Sequence, residues 1–147
     1  MADDKPNQKD PSAAMRAMRS KLLTGSPSEF GVDPSKEHPN VYGVIMEFPI
    51  DDITASVVAL SDGTASLYTT STFGIIGGSG HASVRRAAES LVTQGEKFIS
   101  KGVAVKAFPY PSQTEVYFYL LTFNGVKLLK TSLSAIESGQ DMLSKFF

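Results

Sequence analysis

The chain has 147 residues, a formal net charge of −1 and a hydrophobic content of 41%. These values are typical of one globular domain, which at this length buries roughly 68–70% of its unfolded surface. The small net charge argues against nucleic-acid binding. The absence of cysteine excludes disulfides and thiolate metal sites. No stretch approaches the ~20 apolar residues of a membrane helix, and no secretory signal is visible, so we expect a cytoplasmic protein.

Residues 1–40 are predicted to be an appendage to a single α/β domain that spans residues 41–147. Residues 1–11 contain three aspartates, two lysines and two prolines. They have too little apolar surface to offset the entropy of ordering, so we expect a mobile tail. Residues 26–40 contain three prolines and predict an irregular connector.

A short helix is predicted over residues 12–23, with Ser12 as its N-cap. One face is apolar and comprises Met15, Met18 and Leu22. The other face carries Arg16, Arg19 and Lys21. A helix this short is not stable alone, so the apolar face must dock on the sheet or on another chain. We interpret that face as a candidate partner surface. Deletion of residues 1–24 is then expected to weaken self-association while the domain stays folded.

Three strands are predicted next, over residues 41–48, 53–60 and 64–70. The pair Asp62-Gly63 between the second and third strands favours a two-residue hairpin, in which both turn residues adopt positive φ. A helix is then predicted from residue 79 or 81 to residue 100, with a broad apolar stripe.

The second half of the chain repeats this order of elements. Strands are predicted over residues 103–108, 115–123 and 126–131, the last two around Asn124-Gly125. Residues 116–121 are apolar or aromatic at every position, which predicts a central strand covered on both faces. A final helix through residue 147 is predicted to begin with a capping box of Ser134 and Glu137.

The predicted order is helix, three strands, helix, three strands, helix. Short links between most strands predict an α+β fold, in two or three layers, with a mostly antiparallel sheet of five or six strands flanked by helices. Over residues 41–147 this order is similar to that of profilin, longin and roadblock-type domains, which lay helices against such a sheet. The resemblance is one of architecture, and it implies a scaffold or partner-binding module.

Residues 72–81 contain four glycines and lead from a predicted strand into the middle helix. Such a turn can present backbone N–H groups to an anion, or it can be a tight corner that packs the helix on the sheet. Its spacing fits neither a P-loop nor the dinucleotide fingerprint. The candidate ligand-binding residues here are Gly77, Gly78, Ser79, Gly80, His81, Ser83 and Arg85.

The sequence favours a protein that is not an enzyme. His81 as a general base would need a hydroxyl group and an orienting carboxylate, and no motif supplies them. The acidic residues Glu47, Asp51 and Asp52 crowd the first predicted turn but lack the pattern of a calcium loop, so we interpret them as solvated. We therefore predict no metal and no cofactor.

Two functions remain. The favoured one is a small protein-interaction or scaffold module that self-associates as a homodimer, binds no nucleic acid and does not span a membrane. The alternative is a domain that binds a small ligand or an anion such as phosphate at the glycine-rich turn, residues 74–80. Substitution Gly80→Val would separate them, because it abolishes binding only in the second case.

Overall fold

The structure is a computed structural model that describes residues 11–70, 75–76 and 82–138, with side chains over 13–70 and 85–138. Three predicted features therefore lie outside the described residues, wholly or in part. They are the N-terminal tail, most of the glycine-rich turn and the end of the final helix.

Within the described residues, seven strands form one sheet. They are β1 (Val41–Ile50), β2 (Ile53–Leu60), β3 (Ala65–Thr69), β4 (Ile75–Ile76), β5 (Val103–Val105), β6 (Glu115–Thr122) and β7 (Gly125–Ser132). Their order is β4-β3-β2-β1-β6-β7-β5, and every neighbouring pair is antiparallel. The predicted α+β class with a mostly antiparallel sheet is confirmed. One strand more than the predicted five or six is present, because two residues of the glycine-rich stretch pair with β3.

Helices cover both faces of this sheet. They are α1 (Pro11–Thr24), α2 (Ala82–Phe98) and α3 (Leu133–Glu137), with 3₁₀ turns at Pro27–Phe30 and Ile99–Lys101. On one face, Ala88 and Val92 of α2 pack with Val44 and Phe118 of the central strands. On the other face, Leu22 and Leu23 of α1 pack with inward-facing residues of the same strands, Tyr42, Ile45, Tyr119 and Leu121. The result is three layers, with the sheet in the middle.

Strand β6 lies next to the central strand β1, and its residues 116–122 are all buried. The prediction of a strand covered on both faces is confirmed. The apolar side chains of alternate residues enter the two cores separately, because successive residues of a strand point to opposite faces. Phe118 and Leu120 face α2, whereas Tyr119 and Leu121 face α1.

The β2–β3 hairpin differs from the prediction by one residue. Leu60 N donates to Thr64 O (2.9 Å), and Gly63 N donates to Leu60 O (3.0 Å), so three residues form the loop. Gly63 has φ 92°, but Asp62 does not have positive φ. The predicted two-residue hairpin with two left-handed residues is therefore wrong. A three-residue loop with glycine at its left-handed position is the next commonest solution.

The start of α3 also differs from the prediction. Ser132 is the N-cap, and its hydroxyl oxygen accepts a hydrogen bond from Ala135 N (3.1 Å). The predicted capping box of Ser134 and Glu137 is wrong, because Ser132 is the last residue of β7 and the helix starts directly after it.

Candidate functional site

A buried ion pair joins α1 to the centre of the sheet. Arg19 Nη2 donates to Glu47 Oε1 (2.9 Å), Arg19 Nε donates to Glu47 Oε2, and the Ser56 hydroxyl donates to the same carboxylate. The exposed fraction is 6% for Arg19 and 0% for Glu47. The predictions that Arg19 lies on the solvent face of its helix and that Glu47 is a solvated turn residue are wrong. Each charge needs the other, because an unpaired charge in the interior is costly.

The guanidinium group of Arg19 also lies against two tyrosine rings. It is 3.9 Å from the ring centre of Tyr110 and 5.7 Å from that of Tyr119. Burial alone would lower the pKa of Arg19, but the hydrogen bond and the charge of Glu47 outweigh burial and raise it. Burial, with the charge of Glu47, raises the pKa of the Tyr119 hydroxyl. Arg19 therefore stays a cation and Tyr119 stays a hydrogen-bond donor.

These groups hold the loop that follows β5 against the α1 face of the sheet. Arg19 Nη2 donates to the carbonyl oxygens of Phe108 (2.9 Å) and Pro109 (3.3 Å). The Tyr119 hydroxyl donates to Pro109 O (2.6 Å), and its ring contacts that of Phe108 edge-on at 5.9 Å. The backbone of this loop is thus fixed by charged and neutral hydrogen bonds, and the Phe108 side chain has a defined position.

Two grooves meet around the end of the β6–β7 hairpin. One, of about 470 Å³, lies on the α2 side and includes Ile99 and Lys127. The other, of about 350 Å³, lies on the α1 side and includes Leu23 and Phe108. The residues that line both are Val105, Lys106, Thr122, Phe123, Gly125 and Val126. The two grooves form one partly apolar surface that carries two lysines, Lys106 and Lys127.

Strand β5 forms the edge of the sheet beside these grooves. Its three residues pair with Val126, Lys127 and Leu128 of β7, and among the described strands none pairs with its outer side. Val103 is 67% exposed. Lys106 follows the strand directly, Lys101 lies two residues before its start, and Lys127 lies opposite Ala104. An open edge strand with an exposed valine is a surface on which another strand can pair.

The predicted partner surface on α1 lies mainly against the sheet. Leu22 is 8% exposed and belongs to the core between α1 and the sheet. Met15 is half-buried, and its Sδ accepts a hydrogen bond from Thr69 N (3.5 Å). Met18 is 37% exposed. Of the three, Met18 has the largest exposed fraction.

The structure describes only Ser83 and Arg85 of the predicted ligand-binding residues. Arg85 is exposed on α2, beside the β2–β3 loop, where its side chain lies against Gly63. Ser83 is described only as a backbone position in the first turn of α2. Five residues lie outside the described part of the chain, namely Gly77, Gly78, Ser79, Gly80 and His81. Ligand binding at this turn stays a prediction.

Sequence reasoning missed the surface at β5. The sequence predicts a strand that includes Val103 and Val105, but nothing in the local pattern shows that this strand lies at the edge of the sheet. The available signal was the pair of lysines at positions 101 and 106, because lysine beside a short strand is typical of an exposed edge.

These observations describe a three-layer α+β protein with covered sheet faces and, at β5, a lysine-flanked edge that no described strand covers. Comparison of the chain with protein-family models, with curated proteins and with solved structures finds no match. None of the described helices is long and apolar enough to cross a membrane. Among the described residues, no group of three or more histidine or acidic side chains is placed to hold a metal ion.

Proposed function

We propose that this protein is a small interaction module that binds another polypeptide by adding a strand to the outer edge of β5. The observation that carries the proposal is the exposed Val103 on an edge strand whose outer side no described strand covers. Strand addition uses the main chain for affinity and neighbouring pockets for selectivity. The grooves beside β5 supply such pockets.

The faces of the sheet support the same proposal. Both are already occupied by the protein's own helices, with α1 and α2 packed into separate cores. Three large apolar side chains of the described residues are exposed, Met18, Ile50 and Val103, and they lie on different elements. Scattered single residues of this kind do not form an interface. A backbone edge does not need a large apolar patch to bind.

The Arg19–Glu47 network supports binding rather than catalysis. Glu47 is fully buried, so its carboxylate is inaccessible to a substrate. Its partners instead fix the loop that carries Phe108, which lines the groove on the α1 side. A groove wall held in place before binding reduces the entropy that binding must offset. The order of elements that resembles profilin, longin and roadblock-type domains is in keeping with such a scaffold role.

The test is a titration of the full chain with a short peptide of alternating valine and serine, followed by the backbone amide signals in NMR spectra. The expected result is that signals of residues 103–105 shift, and that Val103→Pro weakens binding at least about tenfold because proline removes an amide donor and restricts the backbone. Val103→Thr is the matched control, since threonine keeps the amide group and the β-branched shape. Equal binding by the proline variant would contradict the proposal.

A further inference from the structure

Charge is distributed unevenly over the sheet. Residues 97–136, which include β5, β6 and β7, contain five lysines, no arginine and one acidic residue, Glu115. Residues 41–70, which include β1, β2 and β3, contain four acidic residues and neither lysine nor arginine. The chain as a whole has a net charge of −1, so this separation is invisible in the overall composition. The β5 side of the sheet is basic.

The lysines nearest to β5 are not neutralised within the described part of the chain. The ion pair found there joins Arg19 to Glu47 and includes none of these lysines. Lys101 and Lys106 are exposed. Lys127 is half-buried, and its Nζ donates to the carbonyl oxygen of Ile99 (3.4 Å) rather than to a carboxylate. Three positive charges therefore surround an edge of three residues.

The register of β5 on β7 predicts how an added strand would place its side chains. Directly opposed residues of an antiparallel pair lie on the same face of the sheet. Ala104 is opposed to Lys127, so a residue added beside Ala104 lies on the face that carries this lysine. Val103 and Val105 lie on the α1 face, where Val105 packs against the core. Residues added beside them meet apolar side chains.

We infer that the strand received by β5 belongs to a different protein and is acidic, with carboxylates alternating with aliphatic side chains. This inference rests on the proposed function and names the partner's chemistry. The carboxylates lie on the face with Lys127, and the aliphatic side chains lie beside Val103 and Val105. Lys101 and Lys106 add attraction at the two ends of the edge.

The same charges oppose the pairing of two β5 edges in a symmetric dimer. Such a dimer would bring Lys101, Lys106 and Lys127 of both copies together, and like charges across a strand pair are destabilising. A nucleic acid matches the edge less well than a peptide does. A phosphate backbone has no amide and carbonyl groups at the spacing of a strand, and the aliphatic side chains of β5 offer it no partner.

The test uses the full chain and three fluorescently labelled peptides of equal length, in which valine alternates with glutamate, serine or lysine. In fluorescence anisotropy at low salt, we expect the glutamate peptide to bind at least about tenfold more tightly than the lysine peptide. The difference shrinks as salt is added, because exposed charges are screened within ~10 Å at about 0.1 M.

Two charge-reversal variants locate the effect. Lys127→Glu and Lys106→Glu are each expected to weaken binding of the glutamate peptide and to strengthen binding of the lysine peptide. Lys106 is exposed, so its variant folds even if a change at the half-buried Lys127 disturbs the groove. Arg86→Glu is the matched control, because it makes the same change in net charge at an exposed position on α2. It leaves both affinities unchanged.

The outcomes separate this inference from the proposed function. Equal binding of all three peptides, with shifts at residues 103–105, overturns the acidic partner and leaves strand addition standing. If none of the three peptides binds, both the acidic partner and strand addition at β5 are overturned. Displacement of the glutamate peptide by an equimolar thymidine oligonucleotide assigns the edge to nucleic acid and overturns the inference. So does a concentration-dependent dimer, seen in sedimentation, that Val103→Pro abolishes.

Discussion

Arg19 and Glu47 make the docking of α1 specific. A helix with Met15, Leu22 and Leu23 on one side could settle on an apolar sheet in several rotations. The carboxylate of Glu47 pairs with the guanidinium group of Arg19 in one of these rotations. Any other rotation leaves a buried charge without its partner. Such a pair contributes more to choosing one arrangement than to net stability, since desolvation offsets most of the attraction.

Removal of one partner is therefore expected to cost more than removal of both. Glu47→Ala should lower the free energy of unfolding by about 3–5 kcal/mol, because Arg19 stays buried without its counter-charge. The double variant Arg19→Met with Glu47→Leu should recover most of this loss, since two apolar side chains replace the pair. Urea unfolding measures both values.

The control for this pair is Lys21→Met, at an exposed position on the same helix, which should change stability by less than about 0.5 kcal/mol. A double variant as unstable as Glu47→Ala would show that the ion pair itself, rather than the avoidance of a lone charge, stabilises the fold.

Glu96 joins the C-terminal half of α2 to the start of β1. Its carboxylate accepts hydrogen bonds from the backbone of Asn40 (2.9 Å) and Val41 (2.8 Å) and from Asn40 Nδ2 (3.0 Å). Partial burial would raise the pKa of Glu96, but these hydrogen bonds and the nearby His38 outweigh burial and lower it below its ordinary value of 4.5. The folded state thus prefers the charged carboxylate.

This preference makes stability depend on pH. The contribution of Glu96 is complete above its ordinary pKa and is lost as pH falls through the lower pKa of the folded state. Glu96→Gln should therefore be less stable than the natural protein near neutral pH, and the difference should shrink as pH falls to about 3. Urea midpoints across this range measure it. Glu89→Gln, at an exposed position on α2, is the control. A difference that is constant with pH would contradict the assignment.

Among the helices, α2 lies close against the sheet at Gly95. A Cβ atom at this position would lie 2.7 Å from Val44 Cγ2 and 3.4 Å from Leu120 Cδ2. Val44 is fully buried and its short, branched side chain has no room to move aside. The close approach needs glycine, although glycine weakens a helix by about 1 kcal/mol relative to alanine.

Gly95→Ala is accordingly expected to destabilise the protein. The gain in helix propensity from alanine is about 1 kcal/mol, whereas overpacking of a tight core costs about 1–3 kcal/mol. Because the added Cβ atom would lie 2.7 Å from Val44 Cγ2, we expect a cost at the upper end of this range. Thermal unfolding should show a lower midpoint. Ser90→Ala, on the exposed side of the same helix, should leave it unchanged or raise it slightly. A higher midpoint for Gly95→Ala would show that α2 shifts to accept the methyl group.

Some elements could be predicted from local pattern and others could not. Residues 116–121 are apolar at every position, which reveals a covered strand without knowledge of its neighbours. The burial of Glu47 depends on Arg19, which lies on another element 28 residues earlier. The spacing of apolar residues within one element does not reveal a pairing with a residue on another element. The same limit applies to β5. A run of three apolar residues has the same sequence pattern whether the strand lies in the middle or at the edge of a sheet.

At the scale of the whole molecule, α1 is one of the three layers. Its residues Leu22 and Leu23 cover Tyr42 and Ile45, and Arg19 neutralises Glu47. These contacts alter the expectation that deletion of residues 1–24 leaves the domain folded. Without α1, one face of the sheet loses its apolar cover and one buried carboxylate loses its counter-charge.

We therefore expect the protein that lacks residues 1–24 to lose cooperative unfolding and to bind the dye ANS, which reports exposed apolar surface. Near-UV circular dichroism should weaken, because the tyrosines of this core lose their fixed surroundings. A chain that lacks only residues 1–10 keeps all of α1 and is the control. Retention of a sharp unfolding transition after the larger deletion would show that the sheet and α2 form a stable two-layer unit.

The two sides of the sheet are protected by different means. Near the end of β3, the chain protects its own backbone: Thr69 N donates to Met15 Sδ, and Thr70 O accepts from Arg16 Nη2 (3.2 Å). At β5, the described protection is the repulsion between lysines. Repulsion weakens in concentrated electrolyte, whereas contacts made by a packed helix change little. Rising ionic strength is therefore expected to make the β5 edge adhesive, so that association begins there while the native fold is still intact.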